Sequence, residues 1–209
     1  SLSDSTIWCN ADYKKGHISF LSIMNDHGEK PTESAWRNHL AKFNPEFSEE
    51  WKRWIGNSKK KFTQTEFAEF IEENIKDIAS SCDDESKGPT GTQMLEMALA
   101  FEAKQDMRFK SAIRLQSGGI QMQYINDDDD ATIEKMQMFD RFSIGIPVYW
   151  NGDAYKIDAR LRYRVREGKV SFWFEIIRHD RILESATKSL IEKIQEETGN
   201  PFFFGYPFN

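Results

Sequence analysis

Two cysteines, Cys9 and Cys82, are the whole thiol complement of this 209-residue chain. That rules out a disulfide framework and leaves no Cys-x-x-Cys pair for zinc, so free thiols in a reducing compartment are expected. No apolar run approaches the ~18 residues a membrane helix needs, and Ser1-Leu2-Ser3-Asp4 carries neither the basic nor the apolar block of a signal peptide. No membrane partner is expected. A start without Met is what a trimmed fragment would show. Signatures of catalysis are missing as well: there is no Gly-x-Ser-x-Gly, no Gly-x-x-x-x-Gly-Lys and no dinucleotide loop. The four histidines, His17, His27, His39 and His179, form no His-x-x-x-His pair. The expectation is a non-enzymatic protein with no metal and no cofactor.

What the chain does contain is apolar and aromatic bulk: 39% hydrophobic residues, 13% aromatic, 16 of them Phe. Such a chain folds, and its length suits one sizeable core. The formal charge of -6 argues against a generally basic protein that coats nucleic acid, but it is silent on how charge is distributed.

The patterning predicts an α+β fold in which antiparallel hairpins carry helices on one face. A single domain over 1–209 is expected, with strands and a short helix in 1–60, a helical segment in 63–104, and a sheet, a C-terminal helix and an aromatic tail in 107–209. Strands are predicted at Thr6 to Asn10, His17 to Met24 and Trp36 to Phe43, and a helix capped by Ser48 runs to Ile55. Thr63-Gln64-Thr65-Glu66 is a capping box, followed by Phe67, Phe70 and Ile71 at helical spacing. Ser80 to Thr90 reads as a loop, and Thr92 to Lys104 as a buried helix. A turn at Ser117-Gly118 would pair Leu115 with Ile120, and Ile113 with Met122. The Asp127-Asp128-Asp129-Asp130 run reads as a solvated turn capping a helix from Ala131 to Phe139.

Two further turns fix registers. Asn151-Gly152 would pair Trp150 with Asp153, Ile144 with Ala159 and Phe142 with Leu161. Glu167-Gly168 would pair Val165 with Val170, Tyr163 with Phe172, Leu161 with Phe174 and Ala159 with Ile176. Both agree on which face of the shared strand is greasy, and a helix from Ile182 to Thr198 is expected to cover it. The tail Phe202-Phe203-Phe204 with Tyr206 is too aromatic for a solvated end and is expected to pack on the body or dock on a partner.

The opposite face of the shared strand carries Lys156, Arg160, Arg162, Arg164 and Arg166 at period two. In this register Arg160 meets Glu175 as an ion pair and Arg162 meets Trp173 as a cation-π pair. Arg108, Lys110 and Arg114 alternate similarly. If both hairpins share one sheet, the result is a broad basic surface bearing Trp173 and Tyr149, suited to a phosphate backbone with stacked bases.

Phe67 to Asn74, Gly91 to Ala103 (GTQMLEMALAFEA), Phe109 to Tyr124 (FKSAIRLQSGGIQMQY), Phe142 to Arg164 (FSIGIPVYWNGDAYKIDARLRYR) and Pro201 to Gly205 together resemble the YfdQ-like proteins of tailed phages and prophages, a domain of unknown function. The resemblance runs from about Trp36 onward. It implies a phage origin and the bacterial host cytoplasm, and supplies no catalytic residue. Members resemble parts of early phage gene sets, where recombination and anti-defence proteins cluster. The expected function is therefore single-stranded DNA binding or annealing in phage recombination, by a homo-oligomer. The alternative is an inhibitor of a bacterial anti-phage defence complex, acting by protein-protein contact through the acidic patches Asp83 to Glu85 and Asp127 to Asp130 and through Phe202, Phe203, Phe204 and Tyr206. A nuclease would need carboxylates such as Asp158 and Glu175 to converge on a metal.

Overall fold

The structure is a computed structural model describing residues 4–28, 30, 32–78, 88–102, 107–114, 119–126, 129–166 and 169–208, with Gln121 the one described side chain from 101 to 137. The fold is mixed α+β, and the chain divides into two compact units.

The first unit gathers 1–48, 148–152 and 178–209. Its sheet contains β1 (Thr6–Asp12), β2 (His17–Ile23), β3 (Leu40–Phe43) and β11 (Phe202–Phe204) in the order β11-β1-β2-β3. The third strand is shorter than the pattern from Trp36 predicts. All pairings are antiparallel except the parallel pairing of β11 with β1, in which Trp8 stands opposite Phe203 with stacked rings 5.0 Å apart. The aromatic tail thus packs on its own body. Helix α4 (His179–Thr198) also belongs here, ending at Gly199 in the left-handed conformation that Gly adopts without a Cβ penalty. Its buried stripe is Leu183, Ala186, Thr187 and Ile191; Leu190 and Ile194 are half-buried. Beside β1, Asp26 accepts hydrogen bonds from Thr6 Oγ1 (2.7 Å) and Arg37 Nε (2.6 Å).

Cys9 is almost fully buried in β1, and burial pushes its thiol up to about 11. The thiolate is the reactive form, so in a Cys82→Ser variant a disulfide reagent at pH 8 should modify Cys9 at least ~100-fold more slowly in folded than in unfolded protein. Equal rates would show that Cys9 is accessible.

The second unit comprises 49–147 and 153–177. Its elements are α1 (Glu49–Asn57), β4 (Phe62–Thr63), α2 (Gln64–Glu73), a 3-10 turn (Ile75–Asp77), α3 (Gly91–Glu102), and strands β5 (Met107–Arg114), β6 (Gly119–Asn126), β7 (Asp129–Phe139), β8 (Arg141–Pro147), β9 (Ala154–Arg166) and β10 (Lys169–Ile176). The capping box forms as its sequence dictates. Thr63 Oγ1 accepts from the Glu66 N–H (3.3 Å), and Glu66 Oε2 accepts from the Thr63 N–H (2.7 Å). In α3, Met94, Met97 and Ala98 are buried while Leu99 is exposed, so this helix is less enclosed than its composition suggests.

The strands form two sheets, β4-β10-β9-β8 and β5-β6-β7, so the two basic strands do not share one. Pairing of β9 with β10 follows the predicted register throughout, from Val165 opposite Val170 to Ala159 opposite Ile176. Pairing of β8 with β9 is displaced by two residues: Phe142 faces Ala159, Ile144 faces Ile157, and Pro147 faces Ala154. The reason lies beyond the hairpin. Val148 O accepts from the Ser48 N–H (3.0 Å) and the Trp150 N–H donates to Glu46 O (2.8 Å), which holds 148–150 in the first unit and lengthens the loop. A shift of two leaves the buried face unchanged.

The remaining hairpin departs further. Ile113 faces Gln121 and Arg114 faces Ile120, a slip of one from the expected register, with an irregularity between Phe109 and Ser111. The segment 131–139, expected to be helical, lies in β7, paired along β6 from Ile125 opposite Ile133 to Gly119 opposite Phe139. Leu115, both Gly turns at 117–118 and 167–168, Asp127, Asp128, Cys82 and most of the 80–90 loop lie outside the described residues.

The greasy face of β8-β9-β10 is filled by α1 and α2 rather than by α4. Trp54, wholly buried, has ring centroids 5.0 Å from Phe70 and 5.2 Å from Phe174, and Phe67 stacks on Phe172 at 5.0 Å. Aromatic pairs in these geometries add to area burial. Trp54 Nε1 donates to Asp77 Oδ2 (2.8 Å), which lets the indole be buried without an unpaired donor. Among the described residues no helix is long and apolar enough to cross a membrane.

Candidate nucleic-acid interface

Because α1 and α2 occupy one face of β4-β10-β9-β8, alternate side chains of the same strands stand on the other. On β9 this alternation buries Ile157, Ala159 and Leu161 and exposes Lys156, Asp158, Arg160, Arg162, Arg164 and Arg166. Residues two apart on a strand are about 6.8 Å apart, so the arginines form an evenly spaced row.

Neighbouring strands widen the row. Arg141 of β8 faces Arg160, and Lys169 of β10 faces Arg166, each an exposed like-charge pair. Directly opposed like charges destabilise a sheet, and an anion between them reverses that sign. The open face therefore carries seven cations against two carboxylates, Asp158 and Glu175. Asp158 Oδ1 accepts from Ser143 Oγ (2.8 Å). Arg141 and Lys169 were not singled out by the sequence, because each lies at a strand end where alternation is too short to read. The run Lys59-Lys60-Lys61 lies beside this sheet. Lys59 N–H donates to Phe174 O (2.7 Å), laying three exposed lysines along the edge of β10.

Register gave the neighbours correctly but not the contacts. Among the described residues, no ion pair joins Arg160 to Glu175 and no cation-π contact joins Arg162 to Trp173. The long side chains extend into water instead, as solvated Arg does when pairing would cost rotamer entropy. Trp173 is half-buried on this face. Tyr149 is not there: it is buried in the first unit, stacked on Phe47 at 5.6 Å, with its hydroxyl 2.7 Å from Thr187 Oγ1.

Arg108, Lys110 and Arg114 lie on β5 in the other sheet, and their side chains fall outside the described residues. Of the aromatic tail, Phe202 is half-buried, while Phe203, Phe204 and Tyr206 are exposed even though β11 is paired. Among the described residues, no three His, Cys, Asp or Glu side chains gather where they could hold a metal ion.

Residues 2–207 match the profile of a family described as an uncharacterized conserved protein (DUF2303). The chain belongs to that family. No curated protein and no solved structure matches it.

Proposed function

We propose that this protein is a non-enzymatic DNA-binding protein that grips the phosphate backbone with the open face of β8-β9-β10. The observation that carries the reading is the excess of cations there in a chain of net charge -6. Concentrating positive charge on one face and negative charge elsewhere favours a polyanion at that face while limiting indiscriminate coating. The resemblance to YfdQ-like proteins supports a phage origin, a role in recombination and the bacterial host cytoplasm as the compartment.

Fluorescence anisotropy with labelled oligonucleotides tests it. Binding is expected at low salt and should weaken linearly in log salt. About four to five phosphate contacts would give a slope near -3 to -4, hence roughly a thousandfold to ten-thousandfold loss per tenfold rise in salt. Absence of binding at low salt would overturn the reading.

Exposure of Phe204 and Tyr206 favours a second reading, an inhibitor of a bacterial anti-phage defence complex acting by protein-protein contact. A protein that binds no DNA but forms a stoichiometric complex with a defence nuclease would select it.

A further inference from the structure

Trp173 stands on the cationic face beside Arg162, its cross-strand neighbour. Among the described residues its ring meets no other ring or cation, and its indole N–H meets no acceptor. This contrasts with Trp54, whose ring and N–H are both fully engaged. An aromatic held half-buried in a strand, yet left open among arginines, is a stacking platform.

We propose, on the basis of the DNA-binding reading above, that the ligand is an extended single strand lying along β9, with successive phosphates on Arg160, Arg162 and Arg164 and one base stacked on Trp173. Three features of the geometry point the same way. The ~6.8 Å step of the arginine row is close to the step between phosphates of an extended strand. A B-form duplex has a similar phosphate step but winds each backbone around a cylinder, so it follows a row along one strand less far than an extended single strand does.

The second feature is lateral. Trp173 lies on the neighbouring strand, about 4.8 Å across the sheet from the row, so a backbone on β9 puts its bases over β10. The third concerns access. Bases in a duplex are stacked and paired inside, and only a single strand can turn one onto a protein ring without paying for its extrusion. From Arg160 to Arg166 the unbroken cationic row spans about 20 Å, which corresponds to four nucleotides, with Asp158 interrupting it before Lys156.

The test compares a labelled dT12 with a duplex of equal length, using full-length wild-type, Trp173→Ala and Trp173→Phe proteins, with melting temperatures to verify folding. The wild type should bind dT12 at least about tenfold more tightly than the duplex in the same salt. Trp173→Ala should weaken dT12 binding by about tenfold or more, leave duplex binding within about twofold and keep the same salt slope; Trp173→Phe should recover most of the loss. Shortening the strand below about four nucleotides should cost affinity steeply. Equal affinity for strand and duplex, or an equal loss of both in Trp173→Ala, would overturn the single-strand geometry while leaving the DNA-binding reading standing. Failure of both ligands to bind the wild type would overturn that reading itself.

Discussion

Reversing Arg160, Arg162 and Arg164 together to glutamate should abolish DNA binding, with affinity at low salt falling by more than ~100-fold. All three side chains are exposed on the open face of β9, so the substitutions remove no core contact, and the melting temperature should move by only a few degrees. The control is an equal charge change elsewhere. Arg181, Lys188 and Lys193 are exposed on α4 in the other unit, and their reversal to glutamate gives the same net charge. If binding depends on the β9 face, this control should retain affinity within severalfold. An equal loss in both triple variants would mean that net charge, and not this face, governs binding.

The largest effect on stability should come from Trp54→Ala. Its side chain is fully buried among Phe70, Phe142 and Phe174, and its indole N–H satisfies Asp77. Truncation opens a cavity in the centre of an aromatic cluster, for which the usual cost is about 3–5 kcal/mol. It also leaves Asp77 without its donor. Trp54→Phe should cost less, since it keeps part of the ring packing and loses only the hydrogen bond and some volume. Urea denaturation would measure both, and a Trp54→Ala midpoint close to wild type would show that the cluster is not central to folding stability.

The basic face was legible because β9 and β10 obey local rules strictly. Every second residue from Ile157 to Leu161 is buried, and every intervening one is charged, so alternation and turn spacing reached one register. The β8–β9 hairpin shows where such rules stop. Asn151 does adopt the left-handed conformation a turn requires (φ 56°), yet hydrogen bonds from 46–48 draw 148–150 away and set the register by long-range contact. In β7 the apolar residues Ile133, Met136 and Phe139 recur every third position and mimic a helix. Pairing with β6 decides for strand, and that partner is remote information for a window of nine residues. The site suffered a different loss. Cross-strand adjacency of Arg160 to Glu175 followed from register, whereas the rotamers that separate them answer to solvent.

The parallel pairing of β11 with β1 has a consequence for the order in which the chain acquires its structure. Residues 49–147 and 153–177 leave the ribosome before Phe202–Phe204, so the second unit's strands can all be present while β1 still exposes an unpaired edge. Ile7, Trp8 and Cys9 on that edge must wait nearly two hundred residues for their partners. An open apolar edge invites pairing with other chains, and the three phenylalanines close it only after the strands of the second unit have been made.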